Sequence, residues 1–148
     1  MNPTMEKFGY PDTCVKDYEH WCVLLRSKQV TLGSLILLEK SEATRYGDLA
    51  GAAYLEQKQA IADIEKTLIG LFGAERINYL MLMMTDPNVH FHVIPRYPAA
   101  VNFAGQDFKD AGWPKRPEMD NINEISSKAR QQLLETLRAH WPGNTRTA

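Results

Sequence analysis

Two histidines separated by a single residue, His90 and His92, lie in the apolar segment 88–94, which has proline on both sides. The alternation of residue types predicts a β-strand, and alternate side chains of a strand share one face. Asn88, His90 and His92 are therefore expected on one face, while the valines and the phenylalanine between them cover the core on the other. The two imidazoles would leave the backbone about 7 Å apart.

Three kinds of site fit this spacing. The histidines can lie on a solvated sheet face, bind a metal such as zinc, or act on phosphate. A metal needs a third and usually a fourth ligand, whereas His20 and His140 are distant in sequence and no carboxylate cluster adjoins the pair. In phosphate chemistry, a neutral imidazole attacks the phosphorus and a protonated one stabilises or protonates the leaving group. The ordinary pKa of histidine lets both forms coexist near neutral pH, and the spacing alone leaves all three interpretations open.

The composition limits the partners that such a site can have. The chain has 148 residues, with 17 Lys and Arg against 18 Asp and Glu, and a formal net charge of −1. Without a basic field we expect neither nucleic acid nor an anionic membrane as a partner, whereas a small phosphate-bearing ligand needs only a few local donors. Cys14 and Cys22 form no disulfide framework, and residues 1–14 do not resemble a signal peptide. The chain also has no apolar run of membrane-spanning length, and these three features together predict a location in the cytoplasm. The length predicts a single domain over residues 1–148.

The elements that must position the histidines follow from hydrophobic periodicity. Residues 1–17 are predicted as an irregular lead-in or a short helix, and residues 97–120 as a long surface segment. Four strands are predicted over 18–26, 31–40, 76–84 and 88–94, with a long helix from Asp48 to Gly73 and a second helix from Asn121. The strand over 76–84 is apolar enough to be buried on both faces, and its methionine run is expected to pack in the core. Because adjacent strands are joined by short turns, the sequence predicts an α+β fold with an antiparallel sheet.

Several element boundaries carry specific expectations. Asp48 is expected to cap the long helix, and Gly73 is expected to end it. Asn121 with Glu124 resembles a capping box at the start of the second helix. Pro95 is expected to end the histidine strand, because its ring nitrogen cannot donate a hydrogen bond to the ladder.

The segment NVHFHVIPRY, residues 88–97, resembles the signature strand of the histidine triad (HIT) superfamily, in which His-φ-His-φ-His-φ-φ is often followed by Pro-Arg. The resemblance extends upstream. Residues 31–40, TLGSLILLEK, correspond to a Pro-Gly-His strand of the family, with Gly33 at its glycine, and residues 46–72 correspond to the family's helix. Strand, helix and spacing agree, which makes the resemblance specific.

The resemblance covers residues 18–97, and residues 98–148 form a C-terminal extension. With Trp113-Pro114 and a final helix, this extension is similar to the fragile-histidine-triad branch of the superfamily. The resemblance implies an α+β HIT-like fold with about five antiparallel strands, one long helix and a C-terminal helix. It also implies a homodimer that continues the sheet.

The chemistry implied by the resemblance is that of a nucleotide hydrolase or nucleotidyl transferase acting on dinucleoside polyphosphates or nucleoside phosphoramidates. His90 matches the histidine that attacks the α-phosphorus and carries a covalent nucleotidyl intermediate. His92 matches the histidine that touches phosphate oxygens and assists the leaving group. No metal site is expected and no cofactor is required, apart from a divalent cation that can accompany the substrate phosphates.

The chain departs from the family pattern at two auxiliary histidines. Asn88 takes the place of the first triad histidine, and Gly33-Ser34 takes the place of the family's Gly-His. Amide and hydroxyl groups can hydrogen-bond to each other or to phosphate. Asn88 and Ser34 are therefore expected to form a matched polar pair at the substrate.

Three further positions are expected to contact the substrate. Arg26 stands where many family members carry Asn or Asp for the ribose. Since a cation cannot accept from ribose hydroxyls, it indicates altered ribose recognition or additional phosphates. Thr85 is the one hydroxyl in the short TDP loop that replaces the family's Gly-rich loop, and it is expected to donate to a phosphate in place of the family's hydroxyl. Arg96 can bind a phosphate bidentately or form a salt bridge with the tail or a dimer partner. These departures leave a nucleotide-binding module with little or no turnover as the alternative to an enzyme.

Overall fold

A five-stranded antiparallel sheet carries the histidines, and its strands follow the order β1-β2-β3-β5-β4. The computed structural model describes residues 1–144. The strands are β1 (Cys14–Asp17), β2 (Trp21–Leu25), β3 (Leu35–Glu39), β4 (Arg76–Leu80) and β5 (His90–Arg96), with a separate hairpin of β6 (Val101–Phe103) and β7 (Gln106–Phe108). The helices are α1 (Pro3–Lys7), α2 (Gly51–Phe72) and α3 (Ser127–His140). The predicted α+β fold with one long helix and a C-terminal helix is confirmed.

Helix α2 packs against one face of the sheet because its apolar side chains recur at helical spacing. Ala53, Ala60, Ile64 and Leu68 are all buried in the core. Gly73 ends the helix with a φ of +71°, a left-handed conformation that glycine adopts without steric strain. The predicted end of the long helix is therefore confirmed.

The start of α2 differs from the prediction. Tyr46–Asp48 form a 3-10 turn, and the Asp48 carboxylate accepts a hydrogen bond from Arg45 at 2.9 Å. Ala50 is the N-cap residue of α2 and provides no side-chain hydrogen bond. The prediction that Asp48 caps α2 is wrong, because this carboxylate belongs to the turn that precedes the helix.

The N-terminal segment covers the other face of the sheet. Helix α1 begins after Asn2, whose side chain accepts from the backbone N–H of Met5 at 2.9 Å. Met5 and Phe8 then pack on an apolar cluster of β2 and β3 formed by Cys22, Leu24, Ile36 and Leu38. The sequence allowed a short helix here, but it did not indicate strand β1 or the docking of this segment on the sheet.

Strand β4 lies at the edge of the sheet and is shorter than predicted. Among the described strands it pairs only with β5, and its residues are exposed or only partly buried. Beyond β4, Met81 and Met83 pack partly against the core, whereas Leu82 is 60% exposed and Met84 is 86% exposed. The prediction that 76–84 is buried on both faces is wrong, because no residue of this segment is buried and its last four residues lie beyond the strand.

The histidine strand continues through Pro95 to Arg96, beyond its predicted end. Pro95 lies opposite Ile77 of β4, while the ladder with β3 ends at Val93. The Pro95 carbonyl accepts from the Thr31 hydroxyl at 2.5 Å. The nitrogen and the carbonyl of one residue point to the same side of an antiparallel strand, so the Pro95 nitrogen also points to the β3 side. The ladder with β3 has already ended there, and no partner requires the N–H that proline lacks. Pro95 is therefore tolerated within β5.

The segment predicted as a long surface loop contains the β6–β7 hairpin. Its two-residue turn, Ala104-Gly105, has positive φ at both positions, 53° and 76°. This is the backbone requirement of a type I′ turn, which asparagine or aspartate usually meets at the first position. Alanine at that position removed the usual sequence signal.

Helix α3 begins after Ser126, whose hydroxyl accepts from the backbone N–H of Ala129 at 3.0 Å. The predicted capping box at Asn121 and Glu124 is therefore wrong, and both residues precede the helix. None of the helices within residues 1–144 is both long and apolar enough to span a bilayer.

Candidate active site

The register of β5 brings both imidazoles to one face of the sheet. His90 lies opposite Leu38 of β3, and His92 lies opposite Ile36 of β3 and Leu80 of β4. The ring centroids are 5.2 Å apart and the ring planes meet at 77°. The two rings therefore emerge side by side, on the face that is opposite α2.

Two cavities give access to the rings, although His90 is only 1% exposed and His92 only 9%. The methionine cavity, about 260 Å³, is lined by both histidines together with Leu82, Met83, Met84, Thr85 and Asp86. The cationic cavity, also about 260 Å³, is lined by His92 together with Lys7, Phe8, Arg26, Ser27, Lys28 and Asp86. His92 and Asp86 border both cavities, whereas His90 lines only the methionine cavity.

A backbone contact fixes the tautomer of His90. Its Nδ1 lies 2.7 Å from the carbonyl oxygen of Asn88. Because a carbonyl can only accept, Nδ1 must carry the hydrogen. In the neutral ring, Nε2 then holds a lone pair, which is the form that a nucleophile requires.

His92 is held in the opposite tautomer. The Nε of Arg26 donates to Nδ1 of His92 at 3.4 Å, so in the neutral ring Nε2 carries the hydrogen. Burial of the ring, followed by the positive charge of Arg26, lowers the pKa of His92 from 6.5 to about 4. The free protein therefore holds His92 as a neutral hydrogen-bond donor at neutral pH, and not as the protonated imidazole that the sequence argument allowed.

Asn88 and Ser34 do not form the predicted pair. Asn88 accepts from the Thr4 hydroxyl at 2.8 Å and donates to the Glu42 carbonyl at 3.3 Å. Ser34 is fully buried, and its hydroxyl donates to the Thr31 carbonyl at 2.8 Å. The strand register places the two residues at opposite ends of the β3–β5 pair, and neither side chain lines either cavity. In the free protein both groups satisfy their hydrogen bonds within the protein itself, and a contact of either residue with a substrate stays a prediction.

The three remaining predicted contacts lie in different places. Arg26 lines the cationic cavity and Thr85 lines the methionine cavity. Arg96 is buried and binds both carboxylate oxygens of Asp110, at 2.7 and 3.0 Å, and also Asn78 at 2.7 Å. The predicted salt bridge between Arg96 and the C-terminal extension is therefore confirmed, whereas its contact with a phosphate stays a prediction.

Within residues 1–144, no group of three or more His, Cys, Asp and Glu side chains lies close enough to hold a metal ion. The third ligand that a zinc site at the histidine pair would need is not supplied by this part of the chain.

The sequence matches no protein-family profile and no curated protein, whereas several solved structures are similar. A histidine triad protein from Bradyrhizobium japonicum has 20% identity and a TM-score of 0.67, with 86% of this chain and 90% of that chain covered. A histidine triad protein from Sinorhizobium meliloti has 16% identity and a TM-score of 0.71, with 93% of each chain covered. One from Marinobacter aquaeolei VT8 has 16% identity and a TM-score of 0.70, with 90% of each chain covered.

This chain has the histidine triad fold. Identities of this size establish the fold alone, and the reaction must be argued from the site residues.

The residues near the histidines that the sequence did not indicate lie in the N-terminal segment. The Phe8 ring lies 5.7 Å from the ring of His90 and 6.1 Å from that of His92, between centroids. Lys7 forms an ion pair with Asp86 at 2.7 Å. Asn2 followed by proline is a signal for the start of a helix, but nothing in the local sequence indicates which face of the sheet that helix covers.

Proposed function

We propose that this chain is a nucleotide hydrolase or nucleotidyl transferase that acts through a covalent bond from His90 to phosphorus. The observation that carries the proposal is the pair of opposite tautomers. His90 presents a lone pair at Nε2, and His92 presents an N–H at Nε2, side by side at the floor of one cavity. Histidines on a merely solvated face would need no such division into nucleophile and donor.

The geometry supports a two-step reaction. His90 Nε2 attacks the α-phosphorus of a dinucleoside polyphosphate or nucleoside phosphoramidate, and the bond to the leaving group breaks. His92 donates its N–H to a phosphoryl oxygen or to the leaving atom. A bound phosphate raises the pKa of His92 again, so that the ring can supply a proton to a basic leaving group such as an amine. Water then attacks the phosphorus, releases the nucleotide and restores His90.

The test is the His90→Ala variant, assayed with diadenosine polyphosphates and adenosine phosphoramidate. Loss of the nucleophile should lower turnover at least about a hundredfold. His140→Ala, at the exposed C-terminal end of α3, is the matched control and should keep full activity. Intact-protein mass spectrometry after rapid quenching should show one added nucleotidyl group, absent from His90→Ala. Unchanged turnover in His90→Ala would end the proposal.

A nucleotide-binding module with little or no turnover is the second candidate. It is favoured by the 1% exposure of His90 and by the absence of the Asn88 and Ser34 side chains from both cavities. Tight nucleotide binding in calorimetry, with no product from the same nucleotides, would select this function over the enzyme.

We also propose a homodimer in which two copies pair through β4. The support is that β4 has a strand neighbour on one side only among the described residues, and that Ile69 of α2, next to this edge, is 49% exposed. Light scattering tests it.

Membership of the fragile-histidine-triad branch is supported by the C-terminal extension, and a cytoplasmic location by the two free thiols, Cys14 and Cys22.

A further inference from the structure

Two cavities of different chemical character meet at the histidine pair. The cationic cavity contains the side chains of Lys7, Arg26 and Lys28, with the single carboxylate of Asp86. The wall of the methionine cavity is largely aliphatic and thioether, formed by Leu82, Met83 and Met84. A substrate that reaches both cavities must therefore have an anionic part and an apolar part.

The positive charge in the cationic cavity is only partly neutralised. Lys7 is paired with Asp86, whereas in residues 1–144 neither Arg26 nor Lys28 has an ion-pair partner. Arg26 is half-buried, and this burial lowers its pKa. Its Nε binds His92 and its Nη1 binds the Lys28 carbonyl, which leaves its second terminal nitrogen free to donate. A half-buried guanidinium without a counterion is stabilised by an incoming anion.

A sugar fits the cationic cavity less well than a phosphate does. Ribose hydroxyls need acceptors as well as donors, but lysine and arginine side chains can only donate. Asp86 is the one carboxylate in this cavity, and one of its oxygens accepts from Lys7 at 2.7 Å, which leaves its other oxygen and the Ser27 hydroxyl as side-chain acceptors. Phosphate oxygens, in contrast, need donors alone, and Arg26 and Lys28 supply them beside His92.

The position of the nucleophile decides which part of the substrate lies in which cavity. Because His90 lines only the methionine cavity, the phosphorus that it attacks is assigned to that cavity, together with the apolar part of the substrate. Leu82 and Met84 are exposed beside it and provide an adaptable apolar surface for a nucleobase. The group on the far side of His92 then extends into the cationic cavity.

We propose that the leaving group is a phosphate or polyphosphate chain held by Arg26, Lys28 and Lys7, so that mononucleoside polyphosphates are preferred to phosphoramidates. This inference rests on the proposed function and specifies its leaving group. The bond from His90 Nε2 to phosphorus forms while the bond from phosphorus to the bridging oxygen breaks. The oxygen keeps the electron pair, and its charge is offset by Arg26 and by the N–H of His92. Water then adds its hydroxyl to phosphorus, the nitrogen–phosphorus bond breaks, and one proton passes to solvent.

The test compares kcat/KM for ATP and for adenosine phosphoramidate in the wild type and in Lys28→Gln. We expect the wild type to prefer ATP, and Lys28→Gln to reduce that preference about tenfold through loss of one charge-assisted contact. Lys58→Gln removes an exposed lysine of α2 and should leave both values unchanged. A wild-type preference for the phosphoramidate, or a substrate preference that Lys28→Gln does not alter, would overturn the inference.

A binding measurement separates this inference from the proposed function. If neither nucleotide is turned over, the proposed function fails, but calorimetry with inorganic tripolyphosphate still tests the cationic cavity. Binding by the wild type that is about tenfold weaker in Lys28→Gln would support an anion site there. Absence of binding to the wild type, or equal binding by both proteins, would overturn it.

Discussion

The lowered pKa of His92 makes the stability of the protein depend on pH in a defined window. In the native state, burial of the ring and the nearby charges of Arg26 and Lys7 disfavour its protonated form, and Asp86 opposes them only in part. The unfolded chain binds a proton near the ordinary pKa of 6.5, whereas the native protein does so only near pH 4. Between these values the unfolded state holds more protons. The free energy of unfolding therefore falls as the pH falls from 6.5 to 4.

The size of this effect follows from the two pKa values. The difference, 6.5 − 4 = 2.5 units, corresponds at about 1.4 kcal/mol per unit to roughly 3 kcal/mol in the limit of low pH. Between pH 7 and pH 4.5 most of this limit is reached, which amounts to about 2 kcal/mol. Carboxylates titrate in the same range, so the contribution of His92 must be isolated by substitution.

The perturbation is His92→Gln, which removes the titrating group and keeps an amide that can donate. Urea unfolding at pH 7.0, 6.0, 5.0 and 4.5 gives the free energy of unfolding of each protein. Relative to the wild type, the variant should gain about 2 kcal/mol as the pH is lowered from 7 to 4.5. His140→Gln, at the exposed end of α3, should follow the wild type throughout. Parallel curves for wild type and His92→Gln would show that the ring is not held neutral in the native state, and would refute the reasoning.

Three further substitutions test the assigned contacts by urea unfolding. Asn88→Ala should cost about 1–3 kcal/mol, because the buried hydroxyl of Thr4 loses its acceptor; a cost near zero would show that this contact does not hold α1 to the sheet. Arg96→Met should cost about 3–5 kcal/mol, because the Asp110 carboxylate, whose side chain is 1% exposed, would be left without its cation; wild-type stability in this variant would contradict the structural role. Met84→Ser should change stability by less than about 0.5 kcal/mol, because Met84 is 86% exposed. The same variant should raise KM for a nucleotide, because it removes apolar surface proposed to bind the base; an unaltered KM would argue against base binding in the methionine cavity.

Much of the fold was predictable because it depends on local periodicity. The long helix and its end at Gly73 follow from apolar spacing and from the conformational freedom of glycine. The edge position of β4 was not predictable, since the segment 76–84 is as apolar as a buried strand and only the strand order leaves one side of it open. The prediction that Pro95 ends β5 was also wrong. A proline is excluded from a ladder only where a neighbouring strand requires its N–H, and the strand order decides where that is.

Several contacts of the candidate site join residues that are distant in sequence, and the sequence did not predict them. Ser34 and Asn88 are polar residues at positions that the resemblance assigns to substrate contacts, yet both satisfy their hydrogen bonds within the protein. Phe8 and Lys7 gave no sign of a role, because they reach the histidines only through the docking of α1.

The sequence by itself determined that His90 and His92 share a face, because side chains alternate along any strand whatever surrounds it. The tertiary structure decided what each ring can do. The tautomer of His92 depends on Arg26, which is 66 residues away in the chain. The pKa of His92 is lowered first by burial of the ring and then by the charge of Arg26. The cationic cavity likewise depends on Lys7 and Phe8 of the N-terminal segment. The hydroxyl of Thr4 ties this segment to Asn88, which is 84 residues away in the chain. The hydrogen bonds and charges that tune an imidazole act over a few ångströms in space, and no local pattern in a sequence specifies which distant residues will come that close.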